Sequence, residues 1–168
     1  MLSTLGLRGV AMERKPMTVE GKKRLDELLK KLIQEDRPKV IQAIKEARAH
    51  GDLSENADYD AAKEQQALLE SRIADLSAKL SMAQVVDTSK KSSERILFGA
   101  YVQLKNLDNE EEVTYQIVGE EEADVSQGRL SISSPLAKKI IGLKKEDSFL
   151  LKTPKGEREY EVLNFYFK

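Results

Sequence analysis

The sequence predicts an α+β protein in two parts: a long antiparallel helical hairpin, then a smaller domain of strands and short helices. Two uneven distributions carry that reading. Of five tyrosines and four phenylalanines, only Tyr59 precedes residue 98. Between residues 22 and 98 glycine occurs once, at Gly51. The first half is therefore built from helix formers and the second from strand formers. The third observation is periodicity. Tyr59, Ala62, Gln66, Leu69, Ile73, Leu76, Leu80 and Ala83 alternate spacings of three and four, a heptad stripe with one polar position.

The elements follow in order. Residues 1–16 lack the apolar stretch and small-residue cleavage site of a secretory signal. They read as a disordered leader, or as an upstream extension of a chain that starts at Met12. Thr18 is placed to cap a first helix, in which Leu25, Leu28 and Leu32 form an apolar stripe. The stripe resumes at Val40, Ile41, Ile44 and Ala47, beyond Glu35-Asp36-Arg37-Pro38. Proline inside a helix removes one backbone bond and clashes with the preceding turn, so a kink or phase shift is expected there. Gly51, after His50, breaks this helix. From Asp52 to Val86 there is neither glycine nor proline. A helix of about 28 residues there spans roughly 40 Å. The short link forces the two helices back on each other. The hairpin is thus expected over 17–86, with its tip at 51–56, followed by a polar linker at 87–95.

Residues 96–168 read as the mixed domain. Tyr101-Val102-Gln103-Leu104-Lys105 alternates as a strand, Asp108-Asn109 marks a turn, and 113–118 is a strand ending at Gly119. A short strand is expected at 130–133. Ser134-Pro135 starts a helix that ends at Gly142, with serine as cap and proline in the first turn. Residues 148–152 and 158–167 form a terminal hairpin around Thr153-Pro154-Lys155-Gly156. The chain carries no internal repeat.

Composition removes several function classes. Lys and Arg total 28 against 29 Asp and Glu, a net charge of -1. That balance argues against a binder that coats nucleic acid by bulk positive charge. The absence of cysteine excludes a disulfide scaffold, a thiolate zinc site and a cysteine nucleophile, and fits a reducing compartment. A single histidine, His50, cannot build a multi-histidine metal site. No stretch approaches the roughly 18 apolar residues of a transmembrane helix. The motifs G-x-x-x-x-G-K, G-x-S-x-G, H-E-x-x-H and G-x-G-x-x-G are absent from the sequence.

Chemistry concentrates at the expected tip, where Asp52, Glu55, Asp58 and Asp60 precede the next cation, Lys63. Asp52 and Glu55 are three residues apart, so both carboxylates reach one side of a helix start. Such a pair suits a hard cation that keeps most of its waters, and can complete a metal site begun by a partner. The same spacing also reads as a capping box, which merely starts the second helix. One pair can do both. His50 reads as an exposed helix-end residue, and a proton shuttle is the other reading. Arg48 and Lys63 flank the acidic turn, either as phosphate contacts or as solvated charges. The acidic runs Glu110-Glu111-Glu112 and Glu120-Glu121-Glu122 read as solvated loop or edge charges. The aromatic cluster of the second half reads as core.

The run from Glu46 to Gln66, E-A-R-A-H-G-D-L-S-E-N-A-D-Y-D-A-A-K-E-Q-Q, resembles the bacterial Gre transcript cleavage factors, with the GreA branch the nearer match. Pro16-Met17-Thr18, Phe98-Gly99-Ala100, Ile117-Val118-Gly119, Ser131-Ile132-Ser133-Ser134-Pro135 and Lys152-Thr153-Pro154 extend it over nearly the whole chain. The resemblance implies an N-terminal coiled-coil hairpin and a C-terminal domain like the FK506-binding proteins (FKBP-like). It implies a cytoplasmic elongation factor whose partner is bacterial RNA polymerase. The globular domain would dock at the rim of the secondary channel, and the coiled coil would reach the active site. There the tip acids would help hold a second Mg²⁺ and its water, and the polymerase would cut the RNA 3′ end extruded by backtracking. Carried over, those acids are Asp52 and Glu55. Arg48 and Lys63 are the RNA contacts, with lysine at 63 where arginine is common. Ser134 and Pro135 are the polymerase-docking residues. The resemblance implies no enzymatic activity of the chain itself, and two carboxylates are too few to hold Mg²⁺ stably in the free protein. The self-contained hairpin and its exposed acidic tip suggest a monomer.

Three other classes compete with that expectation: a channel-occupying regulator that modulates polymerase without cleavage, a prolyl isomerase, and a purely structural coiled coil. The intact acidic tip speaks against the first. Only the fold of the second domain suggests the isomerase, and fold does not imply function.

Overall fold

The computed structural model describes residues 13–51 and 57–168. The chain enters through a strand, β1 (Lys15–Thr18), and passes directly into helix α1 (Val19–Lys31). Thr18 caps that helix, its hydroxyl accepting the Gly21 N–H at 3.0 Å. At Leu32–Asp36 the helix widens into one π turn and then continues as α2 (Arg37–Ala49). Pro38 lies in the first turn of α2. It cannot donate a backbone bond and its ring crowds the turn before it, and the wider turn absorbs both effects without ending the rod. The phase shift expected from Pro38 is therefore present as a π turn, with Leu32 buried at its start.

Helix α3 (Ala57–Met82) runs back along α1 and α2 for 26 residues. At 1.5 Å per residue that is about 39 Å. Ala62, Ile73 and Leu76 of the heptad stripe are buried, while Tyr59, Gln66, Leu69 and Leu80 are half-buried. Leu32, Ile73 and Leu76 form the small core, with Leu25, Leu28, Leu29, Leu69 and Leu80 packed around it. Farther along, Arg37 grips Glu70 through two parallel bonds of 2.7 and 2.8 Å.

Two expectations fail at the base of the hairpin. The second helix stops at Met82, and Ala83–Val86 is a strand, β2, rather than helix. Lys15 and Pro16, expected in a disordered leader, belong to β1. The two strands pair in parallel, from Lys15↔Ala83 to Thr18↔Val86. The β-branched Val85 and Val86 suit a pleated strand better than a helix end, and their partner is distant in sequence.

The second half carries a five-stranded sheet ordered β5-β4-β3-β7-β6. Its strands are β3 (Tyr101–Asn106), β4 (Glu112–Val118), β5 (Arg129–Ser131), β6 (Ser148–Thr153) and β7 (Gly156–Tyr166). The β4–β5 pair is parallel and the other pairs are antiparallel. Helix α4 (Pro135–Ile140) lies between β5 and β6 in the chain. The expected strand at 130–133 starts one residue earlier and stops at Ser131. There the Ser133 N–H turns back to the Ser131 hydroxyl at 3.2 Å and leads into α4. Ile96, Val102, Leu104, Ile117, Ile140 and Val162 are fully enclosed. Phe98, Tyr115, Phe149, Tyr160, Phe165 and Phe167 pack around them, so the aromatic cluster is core. The chain is thus a mixed α+β protein with a long N-terminal helical hairpin and a C-terminal sheet.

The acidic run Glu120–Glu122 corrects a third expectation. It forms the seam between hairpin and sheet, with Glu120 exposed, Glu121 half-buried and Glu122 buried. Glu120 pairs with Lys15 of β1 and Glu121 with Lys79 of α3, both at 3.0 Å. The Glu122 side chain is completely enclosed. Its carboxylate accepts the Thr18 N–H at 3.0 Å, the Gly119 N–H at 2.8 Å and the Thr18 hydroxyl. A buried carboxylate is tolerable only with such donors around it.

Candidate functional site at the hairpin tip

Helix α2 ends because Gly51 takes a left-handed φ of 81°, a conformation glycine adopts without strain. His50 is the helix cap residue and is exposed. Asp52 and Glu55 follow in the chain, and both lie outside the described residues. Where the chain is described again, Asp58 and Asp60 occupy the first turn of α3, a position favoured by the helix dipole.

Two shallow grooves flank the seam between α2 and α3, and they differ in charge. One, of about 210 Å³, is lined by Ile41, Ile44, Lys45, Arg48, Lys63 and Gln66. The other, of about 270 Å³, is lined largely by alanines together with Glu46, His50 and Asp58. The expected pair Arg48 and Lys63 thus shares one groove. Lys63 donates to the Gln66 side-chain oxygen at 3.1 Å. The Arg48 guanidinium lies 5.6 Å from the centre of the Tyr59 ring and reaches its hydroxyl at 3.5 Å. That contact holds the Tyr59 hydroxyl below the ordinary phenol range. Sequence reasoning placed Tyr59 in the heptad stripe and passed over Lys45. The available signal was that Lys45 precedes Arg48 by three residues and Tyr59 precedes Lys63 by four, which puts each pair on one helix face.

Among the described residues no group of three or more His, Asp or Glu side chains could hold a metal ion. The chemistry of Asp52 and Glu55, two hard oxygen donors three residues apart in the sequence, fits a shared hard cation and not a closed site. At the far end of the chain, the Ser134 hydroxyl accepts the Ala137 N–H at 3.1 Å and caps α4, as its sequence position predicts. Pro135, exposed in the first turn, borders a groove of about 450 Å³ with Lys139, Leu150 and Lys152. Leu150 is 53 % exposed on β6, at the edge of the sheet.

Two family patterns cover the chain. The N-terminal pattern described as "Transcription elongation factor, N-terminal" matches residues 15–85, and the C-terminal "Transcription elongation factor, GreA/GreB, C-term" matches residues 91–167. The chain belongs to the GreA/GreB family of transcription elongation factors. The protein named transcription elongation factor GreA from Beijerinckia indica is 57% identical over 94% of this chain and 100% of its own length. The GreA of Phenylobacterium zucineum is 55% identical over 90% of this chain and 96% of its own. A solved structure, that of GreA factor homolog 1 from Thermus thermophilus, is 29% identical with a TM-score of 0.42, covering 91% of this chain and 99% of that one. No helix among the described residues of this GreA/GreB-family chain is long and apolar enough to cross a membrane.

Proposed function

We propose that this chain docks on bacterial RNA polymerase and stimulates cleavage of the 3′ end of backtracked RNA by the polymerase itself, so that arrested complexes resume elongation. The observation that carries the reading is the rod. A hairpin about 39 Å long and only two helices wide has its first arm broken at Gly51, and in the sequence Asp52 and Glu55 lie between Arg48 and Lys63. Such a shape passes a channel that excludes a globular domain. Membership of the GreA/GreB family supports it.

Each part then has a role. Asp52 and Glu55 would hold Mg²⁺ jointly with the polymerase. A bound Mg²⁺ polarises a phosphoryl oxygen and lowers the pKa of its water. Arg48 and Lys63 line one groove and contact the RNA phosphates, fixing the 3′ segment rather than reading its sequence. Ser134 sets the start of α4 and Pro135 presents the surface that meets the polymerase. In this reading the globular domain, FKBP-like in fold, is a dock and not a prolyl isomerase. The factor works as a monomer in the cytoplasm.

The test is RNA shortening in a stalled, backtracked polymerase complex with wild type, Asp52→Asn and Glu55→Gln. Asn caps as well as Asp, and Gln also serves in a capping box, so the turn survives while the charge is lost. The expected result is cleavage by wild type and loss of it in both variants, which still fold and dock. Intact RNA with wild type would overturn the reading in favour of a regulator that occupies the channel without cleavage.

A further inference from the structure

We infer that Glu122 is a positioning residue: it pins the hairpin to the globular domain at one angle, and so aims the tip. The inference rests on the cleavage reading only for its consequence, since the pin itself is visible in the geometry.

Glu122 sits in the turn that follows β4, so it belongs to the sheet half of the molecule. Its backbone is fixed there, because the Glu122 carbonyl accepts the Arg129 Nε–H at 3.0 Å. Its carboxylate, however, is spent on the other half. Oε2 accepts the N–H of Thr18 at 3.0 Å, and Oε1 accepts the Thr18 hydroxyl. Oε2 also takes the Gly119 N–H at 2.8 Å, which locks the side chain in place. Thr18 is the last residue of β1 and the cap of α1, the point where the rod begins. Arg24, nearly two turns farther along α1, brings its guanidinium to 3.9 Å from Oε1. The enclosed carboxylate therefore binds the root of the rod by hydrogen bonds that tolerate little rotation.

Two glycines are shaped around this contact. A Cβ on Gly21 would lie 1.8 Å from Glu122 Oε1, and one on Gly119 would lie 2.2 Å from the Pro16 carbonyl oxygen. Gly21 lies inside α1, where a helix has no conformational need of glycine and alanine is the better former. Its value at this position is room for the carboxylate. The pairs Lys15–Glu120 and Lys79–Glu121 flank the pin on exposed or half-exposed ground, where ion pairs contribute little.

The length of the rod makes the angle matter. Over about 39 Å, each degree of tilt moves the tip by roughly 0.7 Å. A misplacement of about 1 Å at a reacting centre can cost on the order of 100-fold in rate. A junction that drifts by a few degrees thus disarms tip residues that are themselves unchanged.

The experiment reads orientation and activity separately, on the full chain. The protein has no cysteine, so spin labels at Glu64→Cys on α3 and Lys155→Cys in the β6–β7 turn report one distance without background changes. Four proteins are compared: wild type, Glu122→Gln, Glu122→Ala and Gly21→Ala. Glutamine keeps the shape, its oxygen can accept both N–H groups, and its amide can donate to the Thr18 hydroxyl, so it is expected to behave as wild type. Alanine at 122 removes the pin, and alanine at 21 displaces it while favouring the helix. Both are expected to broaden a narrow distance distribution. Both are also expected to lower RNA cleavage at least tenfold while polymerase binding changes less than threefold. A distribution as narrow as wild type in both alanine variants overturns the pin. Broadening with undiminished cleavage overturns the positioning role. Absence of cleavage with wild type overturns the proposed function instead, and the distances still decide whether Glu122 sets the angle.

Discussion

Truncating Leu32 to alanine tests whether the hairpin is held together where its buried side chains say it is. Leu32 is 2 % exposed and packs with Ile73 and Leu76 in a core that has few other buried members. Leucine-to-alanine changes in cores cost about 2–5 kcal/mol, the spread reflecting how far the site can collapse. A hairpin of this width has solvent close on every side, so partial collapse is possible and about 3 kcal/mol is expected. For a chain of this size, about 2–4 °C of melting temperature is lost per kcal/mol, which gives a fall of roughly 6–12 °C. The assay is thermal unfolding followed by far-ultraviolet circular dichroism, which is dominated by the helices. Leu68→Ala is the control, because Leu68 is 67 % exposed on the same rod. Its change should stay within about 0.5 kcal/mol. A Leu32→Ala protein that melts within about 2 °C of wild type would refute the reasoning, because the cluster around Leu32 would then not be what holds the hairpin closed.

Other outcomes follow from the same contacts. Arg37 holds the Glu70 carboxyl below its ordinary 4.5 through their hydrogen bonds. Because the folded value is depressed, the pair's contribution is present above about pH 4.5 and fades as pH falls through the lower folded value. An NMR titration should show the Glu70 midpoint return toward 4.5 in Arg37→Gln, and an unchanged midpoint would contradict the pair. Gly119→Ala drives a methyl into the Pro16 carbonyl and should cost about 1–3 kcal/mol, measured by chemical denaturation. Ser134→Ala removes the cap of α4 and should cost about 1 kcal/mol, with faster hydrogen exchange at Ala137 as the local sign. Calorimetry of the free chain with Mg²⁺ should detect no binding, since Asp52 and Glu55 supply only two donors.

Much of this architecture is readable wherever one residue constrains its near neighbours. The heptad stripe of α3 is legible because burial on one face imposes a period, and Pro38 announces the π turn because its ring has to be accommodated locally. Ser134-Pro135 names its own helix start in the same way. Reading fails where the deciding partner is distant. Val85 and Val86 form a strand only because Met17 and Thr18 lie beside them, 68 residues away in register. Glu122 is indistinguishable in sequence from its neighbours, the exposed Glu120 and the half-buried Glu121. Its burial depends on Thr18, 104 residues earlier. At the tip, the folding back of the hairpin brings Arg48 of α2 and Lys63 of α3 into one groove, and helix spacing, which places Lys45 on the face of Arg48, would have added Lys45. The roles proposed for Asp52 and Glu55 depend on a metal and a second protein, which no spacing within one chain can supply.

The 104-residue separation between Thr18 and Glu122 also orders events during synthesis. The hairpin's own contacts are complete once residue 82 has emerged, and domains made first generally fold first. At about 5–20 residues per second, Thr18 waits roughly 5–20 s before the carboxylate that anchors it is made. During that interval the rod has its full length but no fixed bearing on the rest of the molecule. A nascent chain halted before residue 122 should therefore protect the amides along α3 from exchange while leaving the Thr18 amide open.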